Sequence, residues 1–96
     1  MTYSQAEGPG LIYRCREDMV VTDLQDEVVL LDPRSVEMYS LAAVGRLIWQ
    51  ALPGTPEQVS EQVAAAYDID PQQALEDVRN LLEELSAAGL VETDAV

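Results

Sequence analysis

The stretch "DPRSVEMYSLAAVG", Asp32 to Gly45, changes period halfway along. Asp-Pro opens it with a side-chain acceptor followed by a preset φ, the preference of a type I turn. "VEMYSL" is then short, mixed and rich in strand formers, and reads as a strand. From Leu41 the apolar residues fall at Leu41, Val44, Leu47, Ile48, Ala51 and Leu52, a helical stripe with Trp49 beside it. Ser40 is the expected N-cap of that helix, and Pro53-Gly54 ends it. A strand that passes straight into a helix, with no catalytic residue type at the junction, is the feature to be explained.

Working outward, "MVVTDL" and "EVVLLD" precede it at short spacing, separated by "QD" and "PRS". With "VEMYSL" they make an antiparallel three-stranded meander. Residues 1–10 hold two Gly, one Pro and small polar residues, the composition of a loose arm. "LIYRC", Leu11 to Cys15, adds a short peripheral strand to an N-terminal segment spanning residues 1–18, and residues 19–96 form the domain proper. Downstream, Thr55, Pro56 and Gln58 stand at N-cap, N1 and N3 of a second helix with Val59, Val63, Ala66 and Tyr67 as its buried stripe. Asp70, Pro71 and Gln73 repeat the device for a third helix, which runs through Leu75, Val78, Leu81, Leu82 and Leu85 to Gly89 at C′. "LVE" folds back onto the core. Strands first and helices afterwards predict an α+β fold, and three helices with a three-stranded antiparallel sheet are the inventory of a winged helix-turn-helix.

Ninety-six residues suit one domain with a single two-layer core. Five Lys and Arg against eighteen Asp and Glu give a formal charge of −13, which repels phosphate backbones and anionic lipid and attracts basic partners. From Gly54 onward ten acids face only Arg79. A solubility bias explains acidity as well, but a third helix carrying Glu76, Asp77, Glu83 and Glu84 is a poor DNA-recognition helix. Cys15 is the only cysteine and there is no histidine, so a disulfide framework, Ser-His or Cys-His nucleophiles and the common zinc sites are excluded. No metal or cofactor is expected. Neither a membrane-length apolar run nor a signal-peptide pattern is present, and the expectation is a cytoplasmic non-enzyme.

Taken together, "EVVLLDPRSVEMYSLAAVGRLIWQAL", "TPEQVSEQVAAAYDID" and "ALEDVRNLLEELSAAGLV" resemble the PqqD-like family over residues 19 to 92. The marks are the "VVLLD" strand, a following strand that ends in an aromatic and Leu, the "IW" of the first helix and the final "DV..LL..L...GLV". The resemblance implies a small winged-helix recognition element for the leader segments of ribosomally made, modified peptides (RiPPs). A free-standing chain of this size is similar to the leader-binding subunit of lasso-peptide systems, which works beside a separate leader peptidase and a cyclase. One departure is that the family often has Leu-Asn where the third strand meets the helix, and Ala42 follows Leu41 here, leaving the capping to Ser40.

The resemblance places the leader beside the third strand and against the third helix. It implies contacts from Val36, Glu37, Met38, Tyr39 and Ser40 of the strand and from Ala74, Asp77, Val78 and Leu81 of the helix. An unpaired strand edge supports this physically, because its N–H and C=O groups can pair with an incoming chain. Each residue also has an ordinary reading. Tyr39 and Leu41 share the core face, Val36 and Met38 point the other way, Ala74, Asp77 and Leu81 lie beside the buried stripe, and Asp77 is one acid among many on a solvated face. Asp77 suits a leader with basic residues. Arg34, Arg46 and Trp49 are open both to packing and to contact with a partner enzyme. The competing readings are a winged-helix transcription regulator, a general protein-interaction module, and an acidic carrier protein, the last lacking the Asp-Ser pair that carries phosphopantetheine.

Overall fold

The computed structural model describes residues 11–95, so the arm expected over residues 1–10 lies outside the described residues. The chain order is β1 (Leu11–Cys15), β2 (Val20–Asp23), β3 (Glu27–Asp32), β4 (Glu37–Ala42), α1 (Val44–Ala51), α2 (Pro56–Tyr67), α3 (Pro71–Ala87) and β5 (Val91–Ala95). Strands β2, β3 and β4 form an antiparallel sheet in that spatial order, and β1 pairs antiparallel with β5 in a separate ribbon. The α+β winged-helix architecture is therefore present.

Strand β3 shows why the sheet needs helices on one side. Val28, Leu30 and Asp32 are buried while Glu27, Val29 and Leu31 are half-buried, the period-two alternation of a strand with one covered face. The covered face meets Ile48 and Trp49 of α1, Val59 and Val63 of α2, and Ala74, Val78, Leu82 and Leu85 of α3. Leu90 and Val91 close the core from the chain's return, as expected for "LVE", which here extends into β5. The ribbon is tied to the helices by reciprocal bonds between Tyr13 and Gly54, N–H to carbonyl in both directions, at 2.9 and 3.0 Å.

Local chemistry sets the helix ends. Thr55 and Gln58 form a full capping box, each side chain satisfying the other's backbone N–H. Asp70 caps α3 by accepting from the N–H groups of Gln72 and Gln73. The Gln73 side chain does not reach back as expected. It donates instead to Asp77 one turn on, at 3.0 Å. Helix α3 ends as a Schellman motif: Leu90 N–H bonds the Leu85 carbonyl, Gly89 N–H bonds the Ser86 carbonyl, and Gly89 has φ +80, a value glycine adopts without a Cβ clash.

Four expectations are corrected. Ser40 is not an N-cap and Leu41 is not helical, because Leu41 pairs with Val28 and strand pairing continues to Ala42. The helix begins at Val44 behind Ala43, which turns the chain at φ 50, ψ −117 with no side-chain cap. Val36 belongs to the turn: its N–H bonds the Asp32 carbonyl at 2.7 Å, a span of four residues, and it holds a left-handed φ of 60. The buried face of α2 runs through Val59, Ser60 and Val63, leaving Ala66 and the terminal Tyr67 exposed. On α3 the buried row is Ala74–Val78–Leu82, spaced by four, so Ala74 is core while Leu75 and Leu81 flank it half-buried.

Candidate functional site: an open sheet edge and its groove

Strand β4 has β3 on one side and no strand on the other among the described residues. Which of its backbone groups face outward follows from the ladder. Leu24 N–H bonds the Glu27 carbonyl at 2.8 Å, so Glu27, and by alternation Val29 and Leu31, direct their main chain toward β2. Val28, Leu30 and Asp32 then bond toward β4, and the bond from Val36 to the Asp32 carbonyl agrees with this. Through the register their partners are Leu41, Tyr39 and Glu37. Met38 and Ser40 are left with N–H and C=O groups pointing away from the sheet, a short row of strand donors and acceptors.

Side chains alternate the other way. Glu37, Tyr39 and Leu41 lie across from buried β3 residues and so share the helix-covered face, whereas Met38 and Ser40 lie across from Leu31 and Val29 on the open face. Met38 is 67% exposed and Val36, on the turn, 77%. The Tyr39 hydroxyl donates to Glu37 at 2.8 Å, which raises the phenol's pKa because the bonded proton is harder to lose. Ser40 donates its hydroxyl to Glu27 across the open face.

The far wall of the site is α3, which runs antiparallel to β4. Two contacts fix this. The Arg16 guanidinium bonds both Asp32, beside the start of β4, and the Gly89 carbonyl just past the end of α3. At the other end, Gly45 lies between Leu41 of β4 and Leu81 of α3. Leu41 and Leu81 are both half-buried, which is how the walls of an open groove look. Of the α3 residues anticipated from sequence, Leu81 reaches this groove. Asp77 sits one turn beyond it, half-buried and accepting from Gln73. Ala74 and Val78 are wholly buried and have no surface to offer a ligand.

Ion pairs brace the surroundings. Arg16 is 6% exposed and spans Asp18, Asp32 and Gly89, with its guanidinium holding the Asp32 carboxyl well below the usual carboxylate range. Asp23 accepts from Arg46 and Gln50 of α1 and from Gln25 N–H, and the Arg46 bond chiefly lowers its pKa to about 2. Arg46 therefore locks β2 to α1, Trp49 is core, and Arg34 stays exposed with Asp18 at 3.9 Å. Burial pushes the Cys15 thiol up to about 11, leaving a protonated sulfur that donates weakly to the Trp49 carbonyl. Among the described residues no group of three His, Cys, Asp or Glu side chains is placed to hold a metal. Sequence reasoning missed Gly45 and the Arg16–Asp32 pair. A glycine inside an otherwise helical stripe was the available signal for the first, and nothing local announced the second.

The profile of the family described as coenzyme PQQ synthesis protein D (PqqD) matches residues 27–91, from the start of β3 to the first residue of β5. The chain belongs to the PqqD family. No curated protein sequence matches this PqqD-family chain. Among solved structures it is similar to TbiB1 in complex with the TbiA(beta) leader peptide, at 31% identity and a TM-score of 0.77 over 82% of this chain and 94% of that one. It is also similar to lasso peptide synthetase B1 complexed with the leader peptide, at 28% identity and a TM-score of 0.74 over 83% and 96% of the two chains. Both similarities cover a larger share of the chain than the family match does. The PqqD-like RiPP recognition-element fold thus accounts for most of the chain.

Proposed function

We propose that this PqqD-family protein is a non-catalytic leader-peptide recognition protein of a lasso-peptide pathway. The leader binds as an added β-strand along the open edge of β4, between β4 and α3, and is presented there to a separate leader peptidase and to further modifying enzymes such as a cyclase. The observation that carries the reading is the edge itself: outward main-chain groups at Met38 and Ser40 beside a groove walled by Leu41 and Leu81. The two leader-complexed structures of the same fold support the ligand class.

The chemistry needed is recognition alone. Main-chain bonds from Met38 and Ser40 fix the register of an extended peptide without reading its sequence. Alternate peptide side chains then fall into the groove, where Leu41, Leu81, Tyr39 and the Glu37 carboxylate discriminate among them. Nothing in this set activates a nucleophile, in keeping with a partner protein that delivers a substrate. The reading is tested by titrating a lasso-peptide leader while following backbone amides by NMR and hydrogen exchange. Met38 and Ser40 amides are expected to gain protection while Glu37, Tyr39 and Leu41, already bonded to β3, change little. Protection arising on β2 or on the β1–β5 ribbon instead would overturn the placement.

A further inference from the structure

Gly45 is the second residue of α1, and glycine has a lower helix propensity than any residue but proline. Backbone freedom does not explain it, because Gly89 is the one glycine at positive φ among the described residues. Space does. A Cβ on Gly45 would sit 3.3 Å from the Leu41 Cβ and 3.7 Å from a Leu81 methyl. The Leu41 contact is local, made across the Ala43 turn, but Leu81 comes from the opposite wall of the groove. All three residues are half-buried, so the point where β4, α1 and α3 converge keeps part of its apolar surface accessible.

We propose that Gly45 sets the depth of the apolar end of the groove, and that this end takes one large apolar side chain from the bound peptide, at the position lying across from Leu41. The proposal rests on the strand-addition reading. Residues opposite one another in a ladder share a face, so a peptide residue across from Leu41 points between β4 and α3, onto Gly45 and Leu81. The next inward position lies across from Tyr39, whose hydroxyl is held by Glu37. The groove is thus apolar at its Gly45 end and polar at its Glu37 end, and a peptide is read by which of its alternate residues is bulky and apolar. A methyl group on residue 45 takes up part of that end, in van der Waals contact with Leu81.

The test pairs Gly45→Ala with a panel of leader peptides in which each apolar residue in turn is cut to alanine, with circular dichroism and melting as fold controls. One methylene of misfit in an apolar pocket is worth about tenfold or more, so Gly45→Ala should weaken the unaltered leader by that factor. The loss should vanish for one peptide of the panel only, where the truncated side chain no longer competes with the new methyl. Equal weakening across the panel, or no weakening with the fold intact, overturns the proposal in favour of plain helix–sheet packing. Should Gly45→Ala fail to fold, Leu81→Ala enlarges the same end without adding atoms. It should shift preference toward a larger side chain at a single peptide position, and an unchanged preference overturns the idea. A wild-type protein that binds no leader removes the strand-addition reading first, an outcome separate from either of these.

Discussion

Arg16 shows how one buried side chain organises the surroundings of the start of β4. Its guanidinium uses both arms on Asp32, reaches Asp18, and donates to the Gly89 carbonyl at 2.7 Å, so it joins the approach to β2, the β3–β4 turn and the end of α3. Asp32 in turn accepts from Arg34 N–H and so shapes the turn that starts β4. Because the pKa of Asp32 is lowered in the fold, the stabilisation it provides is complete above the ordinary carboxylate pKa and is lost as pH falls through the lowered folded value. Asp23, lowered to about 2 by Arg46, acts in the same direction between about 4 and 2. Urea unfolding is therefore expected to show stability dropping steeply below pH 4. Arg16→Met should lower the neutral-pH midpoint and flatten that acid limb. Arg14→Met, which removes two ion pairs from an exposed side chain, should do far less, as surface pairs contribute little. Equal effects of the two substitutions would show that the buried network does not brace the fold.

At the scale of elements, β4 bonds β3 with one backbone edge and, in the proposed function, offers the other to the peptide. Met38→Pro removes an outward donor, at a cost of about 0.5–1.5 kcal/mol to the peptide ladder, and proline is tolerated on an outer edge. Tyr39→Pro removes an inward donor that pairs with Leu30 in the middle of the sheet and should unfold the domain. The expected pattern is native circular dichroism with weakened leader binding for the first, and loss of structure for the second. A Met38→Pro protein that folds and binds like wild type would sink strand addition at this edge. The strands and the second and third helices were legible because their signals are local: the run of strand formers in β3, the capping box at Thr55, the Asp70 cap and Gly89 at C′. The β4–α1 boundary was not, because Leu41 fits either period and only pairing with Val28 decides between them. For the site, Met38, Ser40 and Leu81 were implied by the family resemblance and Val78 fell on the expected apolar stripe of α3, whereas the burial of Ala74 depends on how the other elements close over α3, which no helical wheel contains.

At the scale of the whole molecule, charge acts on every encounter. The chain carries −13 overall, and exposed Glu76, Glu83 and Glu84 stand on α3, the helix that walls the groove. Such a surface opposes the winged-helix use of α3 as a DNA-reading helix and favours an approaching basic peptide. The described residues are thin, with principal extents of 43 × 31 × 16 Å. Screening reaches about 30 Å at 0.01 M salt and about 10 Å at 0.1 M, so at low ionic strength nearly all the acids pull on a peptide near β4, and at higher ionic strength only the nearest do. A leader bearing Lys or Arg should therefore associate more slowly as salt rises, while its dissociation, governed by the backbone ladder and the Leu41–Leu81 groove, changes little. Stopped-flow fluorescence with the natural leader and with a version whose basic residues are replaced by Gln separates the two contributions. The natural peptide should lose association rate between 0.01 and 0.1 M salt, as the screening lengths above imply, and the Gln version should be nearly flat. If association accelerates with salt for the natural leader, the acidic surface is opposing the peptide, and the acids on α3 serve solubility alone.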